Sequence, residues 1–292
     1  MRLRALEVYE PLPELREPHA LVMLQPWVDV GNVGTLLLTW LESHTQGKEL
    51  ARLAQPGNFF DFTRYRPTSY FRGGRRHLII PNSYITYGKG QAHDFLFFHL
   101  MEPHNQGEVY VDSMVRLLAR FNVKRYCLLG SMYDYVPHTR PLLLTGGALG
   151  TDAEHELERL GIQTSNYQGP TTIVSLIPQR APDMGIETMS LIVHLPQYTQ
   201  LDDDYMGAVR IMKVLASLYN IPEDETYIKK AEQQQEQINV ALERNPELKA
   251  IVEQLESHYE ARVQKKKEEE TPRLSPEIEK FLMEMDKRFR EG

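Results

Sequence analysis

The 292-residue chain predicts an α/β fold: a three-layer αβα sandwich with a mostly parallel sheet, followed by a helical C-terminal extension. Three observations carry that prediction. Short apolar runs alternate with amphipathic stretches between residues 21 and 219, and a parallel crossover needs a helix-sized connection. After Ile221-Pro222 the aromatics thin out and Gln, Glu and Lys take over. The apolar supply, 41% of residues with 15 Tyr and 10 Phe, is enough for one large core.

The elements follow in order. The first 18 residues, with repeated prolines and alternating charges, are expected to form a strand or arm laid over the core. Leu21-Val22-Met23-Leu24 is a short apolar strand. It enters Gln25-Pro26-Trp27-Val28-Asp29-Val30-Gly31-Asn32-Val33-Gly34, a turn rich in Gly and small residues, and residues 35–44 continue with helical spacing. His77-Leu78-Ile79-Ile80 is expected as a second strand and Asp94-Phe95-Leu96-Phe97-Phe98-His99 as a third. Residues 108–121 place Val111, Met114, Val115, Leu117, Leu118 and Phe121 on one helical face. Residues 125–130 form a buried strand, 153–160 a short helix closed by Gly161, and 172–177 are ambiguous between helix and strand. Residues 189–195 are a further strand and 202–218 a periodic helix.

The domain division is thus 1–221 for the α/β core with its arm and 222–292 for the extension, with helices near 224–244, 246–264 and 276–290. Asn245-Pro246-Glu247 marks a restart: an Asn cap, Pro at the first helical position and Glu in the first turn. Residues 265–271 are expected to be a linker. The last helix carries Ile278, Phe281, Leu282, Met285 and Phe289 in one stripe, too apolar for water and expected to dock on a partner.

Charge and motifs limit the function. A net charge of −7, from 33 Lys and Arg against 40 Asp and Glu, disfavours nucleic acid as a partner. No apolar run approaches a membrane span and no leader pattern opens the chain, so the cytoplasm is expected. The single cysteine, Cys127, reads as a small buried hydrophobe. His93, His99 and His104 are spaced unsuitably for a zinc site, and no paired cysteines, H-E-x-x-H or G-x-S-x-G occur. No metal or cofactor is called for.

Two features invite chemistry. Gly31-x-x-Gly34, between a strand and a helix, is either a candidate anion-binding turn or a tight turn with close helix–strand packing. The loop after the 125–130 strand brings Asp134, His138 and Arg140 towards the sheet edge that holds Asp29 and Asn32. In an open parallel sheet the carboxyl edge lines the ligand crevice. These five residues are therefore either a ligand pocket or an interface: His beside Asp suits acid–base work and Arg holds an anion, whereas the same groups equally build a structural network.

The stretches Leu21-Val22-Met23-Leu24 with Gly31-Asn32-Val33-Gly34, Leu128-Leu129-Gly130-Ser131, Val136-Pro137-His138-Thr139-Arg140-Pro141, Tyr167-Gln168-Gly169-Pro170-Thr171 and His194-Leu195-Pro196-Gln197-Tyr198 together carry a resemblance. The chain resembles the proteasome-assembly-chaperone family of the PAC-two type, in particular its bacterial branch. The resemblance implies a phosphorylase/hydrolase-like α/β sandwich, a homo-oligomer and a role in protein assembly. The chain ends Phe289-Arg290-Glu291-Gly292 and so departs from the hydrophobic-Tyr-x ending of some members. The expected function is a non-catalytic, assembly-chaperone-like or scaffolding protein binding protein partners through an oligomeric core. The alternative is a small-molecule hydrolase or phosphorylase acting on a nucleoside-like ligand.

Overall fold

Apolar side chains on both faces of a strand force it to the middle of a layered fold, and three strands of this chain have that character. In the computed structural model, which describes residues 1–270 and the side chains of residues 1–264, they are β3 (His19–Gln25), β8 (Phe95–Met101) and β9 (Arg125–Asp134). Together with β12 (Glu187–Pro196) they pair in parallel in the order β8-β3-β9-β12. The remaining strands extend this centre to a ten-stranded mixed sheet. On one side lie β7 (Tyr84–Gly88), β4 (Lys48–Leu53), β2 (Leu6–Val8) and β1 (Arg2–Leu3), all antiparallel. On the other lie β10 (Leu144–Leu149), antiparallel to β12, and the two-residue β11 (Gln163–Thr164). The proline-rich N-terminus therefore supplies edge strands.

Successive residues of a strand face opposite ways, and the central strands use this to feed two cores. Leu21, Met23, Phe95, Phe97, Cys127 and Leu129 join one core. Ala20, Val22, Leu24, Leu96, Phe98 and Tyr126 join the other. The first is covered by α1 (Val33–Thr45), α3 (Thr151–Arg159) and α4 (Tyr205–Tyr219), the second by α2 (Gly107–Arg120) and by two short turns at Ile173–Leu176 and Pro182–Met184. That is an αβα arrangement, with parallel pairing among the four central strands and again between β10 and the short β11 at the edge. Cys127 is fully buried, and burial pushes its thiol up to about 12, as suits a small apolar side chain.

The helix ends are set by side chains. Asp204 caps α4 by accepting the Gly207 N–H at 2.7 Å. Asp224 caps α5 (Glu225–Glu243) by accepting the N–H groups of Thr226 and Tyr227. Helix α5 sets Ala231 into the first core, and Tyr227 donates its hydroxyl to the Leu36 carbonyl at 3.2 Å.

The strand expected at His77-Leu78-Ile79-Ile80 forms, but outside the main sheet. Residues 77–79 belong to β6 (Arg75–Ile79), paired only with β5 (Thr68–Arg72) in a separate two-stranded sheet whose residues are all exposed. Pro67 and Pro81 bracket the hairpin, and proline interrupts a ladder.

The described residues fall into two compact units, Met1–Arg244 and a second that begins at Asn245. The second contains α6 (Pro246–Glu270), which starts where the Asn245 side chain accepts the Leu248 N–H at 3.1 Å. The helix continues through residues 265–270, where a linker is expected from the sequence. The stripe Ile278, Phe281, Leu282, Met285 and Phe289 lies outside the described residues. Among the described residues no helix is long and apolar enough to cross a membrane.

Candidate functional site

The carboxyl edge of the parallel strands is where β3 leads into α1 and β9 leads into the loop before β10. An isolated bridge between Asp29 and Ser131 ties the two crossings together, and the Ser131 hydroxyl donates to the Val30 carbonyl at 2.6 Å. The five residues expected here all lie along this edge, but their hydrogen bonds fall into separate groups.

Asp29 belongs to its own turn. Its Oδ1 accepts the N–H of Gly34 at 2.6 Å and of Thr35 at 3.2 Å, and its Oδ2 accepts the Thr35 hydroxyl at 2.6 Å. These are the N–H groups an incoming anion would meet at the start of α1; the chain's own carboxylate takes them. Burial pushes the Asp29 carboxyl above the usual range, opposed by hydrogen bonds from Thr35, Gly34 and Gln25. The glycines fit the tight-turn alternative. Gly31 sits at φ 60°, and an added Cβ would come within 2.7 Å of the Asp204 Cβ. A Cβ on Gly34 would lie 2.8 Å from the Met23 Cβ. Asn32 turns away from Asp29 and donates from Nδ2 to Asp203 at 2.9 Å.

Asp134 forms a second group, on the opposite face of the sheet from α1. Its Oδ2 lies 2.7 Å from His194 Nδ1, and His194 Nε2 lies 2.8 Å from the Thr145 hydroxyl. The order carboxylate–imidazole–hydroxyl is the one that activates nucleophiles. Here the members come from three neighbouring strands, β9, β12 and β10, and both His194 and Thr145 are buried. The chain of bonds stitches the sheet laterally.

His138 forms a third group. Its backbone N–H donates to the Tyr198 hydroxyl at 2.8 Å, and its Nδ1 lies 2.5 Å from the same hydroxyl. Its Nε2 lies 3.0 Å from Asn239 Oδ1 on α5. Both ring nitrogens are engaged, and the ring is buried. Beside it opens a cavity of about 480 Å³, lined by Arg140, Leu142, Met206, Arg210, Lys213 and Ile228 among others. Arg140, Arg210 and Lys213 bring cations to the lining, Glu232 brings a carboxylate, and Leu142, Met206 and Ile228 are apolar. Arg210 also donates to the Leu142 carbonyl at 3.0 Å.

His194, Thr145, Tyr198 and Asn239 are the partners that sequence reasoning missed. Two signals were present: His194 is a polar residue within the otherwise apolar run Leu191-Ile192-Val193-His194-Leu195, and His194 and Tyr198 both lie in the family-like stretch His194-Leu195-Pro196-Gln197-Tyr198.

The carboxyl edge is also apolar on the outside. Trp27, just beyond β3, is 66% exposed, and Tyr135, just beyond β9, is 68% exposed; Met132 near the end of β9 is exposed as well.

With this geometry in place the chain can be assigned to a class: it belongs to the PAC2 family, whose model matches residues 23–242. No curated protein matches it. Among solved structures, it is similar to a protein of unknown function from Corynebacterium glutamicum, with a TM-score of 0.79 and 20% identity over 90% of this chain and 99% of that one. A proteasome-assembly chaperone homologue from Mycobacterium tuberculosis has a TM-score of 0.71 and 18% identity over 80% of this chain and 99% of that one. An archaeal proteasome activator from Pyrococcus furiosus has a TM-score of 0.62 and 15% identity over 81% and 97% respectively. At these identities the likeness shows the fold.

Proposed function

We propose that this chain is an assembly-chaperone-like or scaffolding protein that binds protein partners through a homo-oligomeric α/β core, without chemistry of its own. The observation that carries this reading is the apolar rim of the carboxyl edge. Trp27 and Tyr135 are two-thirds exposed at the ends of adjoining strands, with Met132 close by in sequence. Exposed apolar patches mark interaction surfaces, and aromatic residues dominate interface energetics. The polar groups that would do chemistry there are engaged with one another, Asp29 with its own helix and His194 with Asp134 and Thr145. Family membership supports the reading, as do solved relatives described as a proteasome-assembly chaperone homologue and a proteasome activator. The stripe Ile278, Phe281, Leu282, Met285 and Phe289 is a second docking element in this proposal, and cytoplasmic residence accompanies it.

The test is the mass of the intact chain in solution by light scattering. A multiple of 33.9 kDa is expected, reduced by Trp27→Ser with Tyr135→Ser or by deletion of residues 275–292. A monomer at every concentration would overturn the homo-oligomer.

One observation favours a second reading. The cavity beside His138 is lined by Arg140, Arg210 and Lys213 against the single carboxylate Glu232, among apolar side chains, and this net cationic lining suits an anionic ligand with an apolar body, as a hydrolase or phosphorylase of nucleoside-like compounds requires. A thermal-shift screen with nucleosides, nucleotides and phosphate checks it; saturation at 100 times the dissociation constant stabilises by about 2.7 kcal/mol. No shift for any of them removes this reading.

A further inference from the structure

Between Phe62 and His93 the chain has no acidic residue, yet it carries Arg64, Arg66, Arg72, Arg75 and Arg76 within its first half. Removing those five charges from the chain's net −7 leaves −12 for the remainder. The basic stretch is the approach to, and body of, the β5–β6 hairpin. Its turn, Gly73-Gly74, has both φ values positive, 59° and 73°. A two-residue turn of that kind matches the twist of paired strands and favours glycine at both positions.

Register places side chains on two faces. Ser69 opposes Leu78 and Phe71 opposes Arg76 on one; Thr68 opposes Ile79, Tyr70 opposes His77 and Arg72 opposes Arg75 on the other. The Arg76 guanidinium lies 5.3 Å from the centroid of the Phe71 ring. Tyr70 stacks on His77 with centroids 5.3 Å apart. Phe71 is 68% exposed and Leu78 63%, and Ile79 and Ile80 are likewise exposed.

Two physical points bear on this. An isolated two-stranded hairpin is marginally stable in water, and three strands or a packing partner are needed for independent stability. Second, a solvated loop is built of turn-forming polar residues, whereas this one places an aromatic or aliphatic residue on each face beside arginine. Aromatic residues and arginine are the pair enriched where proteins bind proteins.

We propose that residues 68–80 form an arm that docks on a second copy of this chain, reciprocally, its arginines meeting the acidic body and its apolar side chains the partner's surface. The occupant is argued from charge. A body carrying −12 complements an arm region carrying +5, and every copy offers both. A two-fold pairing with the same arm and the same receiving surface on each subunit closes the assembly. The chain's negative charge speaks against nucleic acid as the occupant. This inference rests on the homo-oligomeric reading above and names one element that makes the contact.

The experiment measures solution mass for the intact chain, for Phe71→Ser with Leu78→Ser, and for Arg72→Glu with Arg75→Glu and Arg76→Glu. The arm packs into neither core, so circular dichroism and thermal unfolding of the variants should match the parent. Expected is an oligomer for the parent and a fall in mass, or at least a tenfold weaker association, for both variants. An oligomeric parent whose variants keep its mass would overturn the arm and leave the homo-oligomer standing. A monomeric parent overturns both. As a second measurement, Leu78→Cys in the otherwise intact chain is labelled with a photocrosslinker, Cys127 being buried. Crosslinks to body peptides of another copy are expected. Absence of inter-chain crosslinks at a concentration where the parent is oligomeric overturns the arm.

Discussion

Asp29 Oδ1 accepts the Gly34 N–H at 2.6 Å, and so the anion at the start of α1 is part of the chain. The carboxylate reaches the helix from three residues before its formal cap, Asn32, whose side chain makes no capping bond. Asp29→Ala should therefore cost about 1–2 kcal/mol, the usual range for a lost N-terminal cap, measured by denaturant unfolding. Because burial raises this carboxyl above its unfolded value, the folded state holds the proton more tightly. The group's contribution fades as pH rises through the carboxylate range. Asp29→Asn should flatten that part of the profile; an unchanged profile would show that the group does not titrate there.

The Asp134–His194–Thr145 chain is expected to be structural. Thr145→Val keeps the shape but leaves the buried His194 Nε2 facing a methyl group, at a cost of about 1–3 kcal/mol. Thr145→Ser restores the hydroxyl and should recover most of it. Equal stability of the Val and Ser variants would show that the third bond contributes nothing.

Arg125 is buried between Glu156 and Glu187, and Glu187 Oε2 accepts its Nη2–H at 2.7 Å. Burial raises the Glu187 carboxyl, but Arg125 and the N–H groups of Asp152 and Ala153 outweigh it and hold the group below its ordinary value. A depressed carboxylate adds stability that is complete above its unfolded value and lost as pH falls through the folded one. Glu187→Gln should thus destabilise at pH 7 by about 1–3 kcal/mol, and the gap from the parent should close in acid. A gap that persists at low pH would refute the assignment.

His19 sits at the other end of β3, its Nδ1 3.0 Å from the Tyr219 hydroxyl and its ring stacked on His93. Burial, with help from His93 and Arg125, pushes it down to about 3. The fold therefore keeps this ring neutral, and its contribution, full above pH of about 6.5, is lost as pH falls below that value. His19→Asn should lower stability at pH 7 by about 1 kcal/mol while making the acid limb shallower. A limb as steep as the parent's would place the acid sensitivity elsewhere.

How much of this was legible follows from burial. Strands β3, β8 and β9 are buried on both faces and read as largely apolar runs, so sequence alone locates them. Strand β4, Lys-Glu-Leu-Ala-Arg-Leu, and β10, with its Gly146-Gly147 pair, carry no such run and emerge only from pairing. The hairpin at β6 shows the converse: an apolar triplet that is exposed, because periodicity reports apolarity and not the side that faces water. The site was half legible. The glycine turn and the Pro137-His138-Thr139-Arg140 loop stand out locally. The groups that hold them, Tyr198 and Asn239, lie 60 and 101 residues from His138, beyond any spacing rule.

The alternation that sends Leu21 and Met23 to one core and Val22 and Leu24 to the other has an evolutionary corollary. Lengthening or shortening β3 by one residue would exchange the occupants of both cores at once, whereas a change of two keeps every remaining side chain in phase. Insertions and deletions in the central strands of related chains should accordingly come in even steps, with odd ones displaced into the loops at either end.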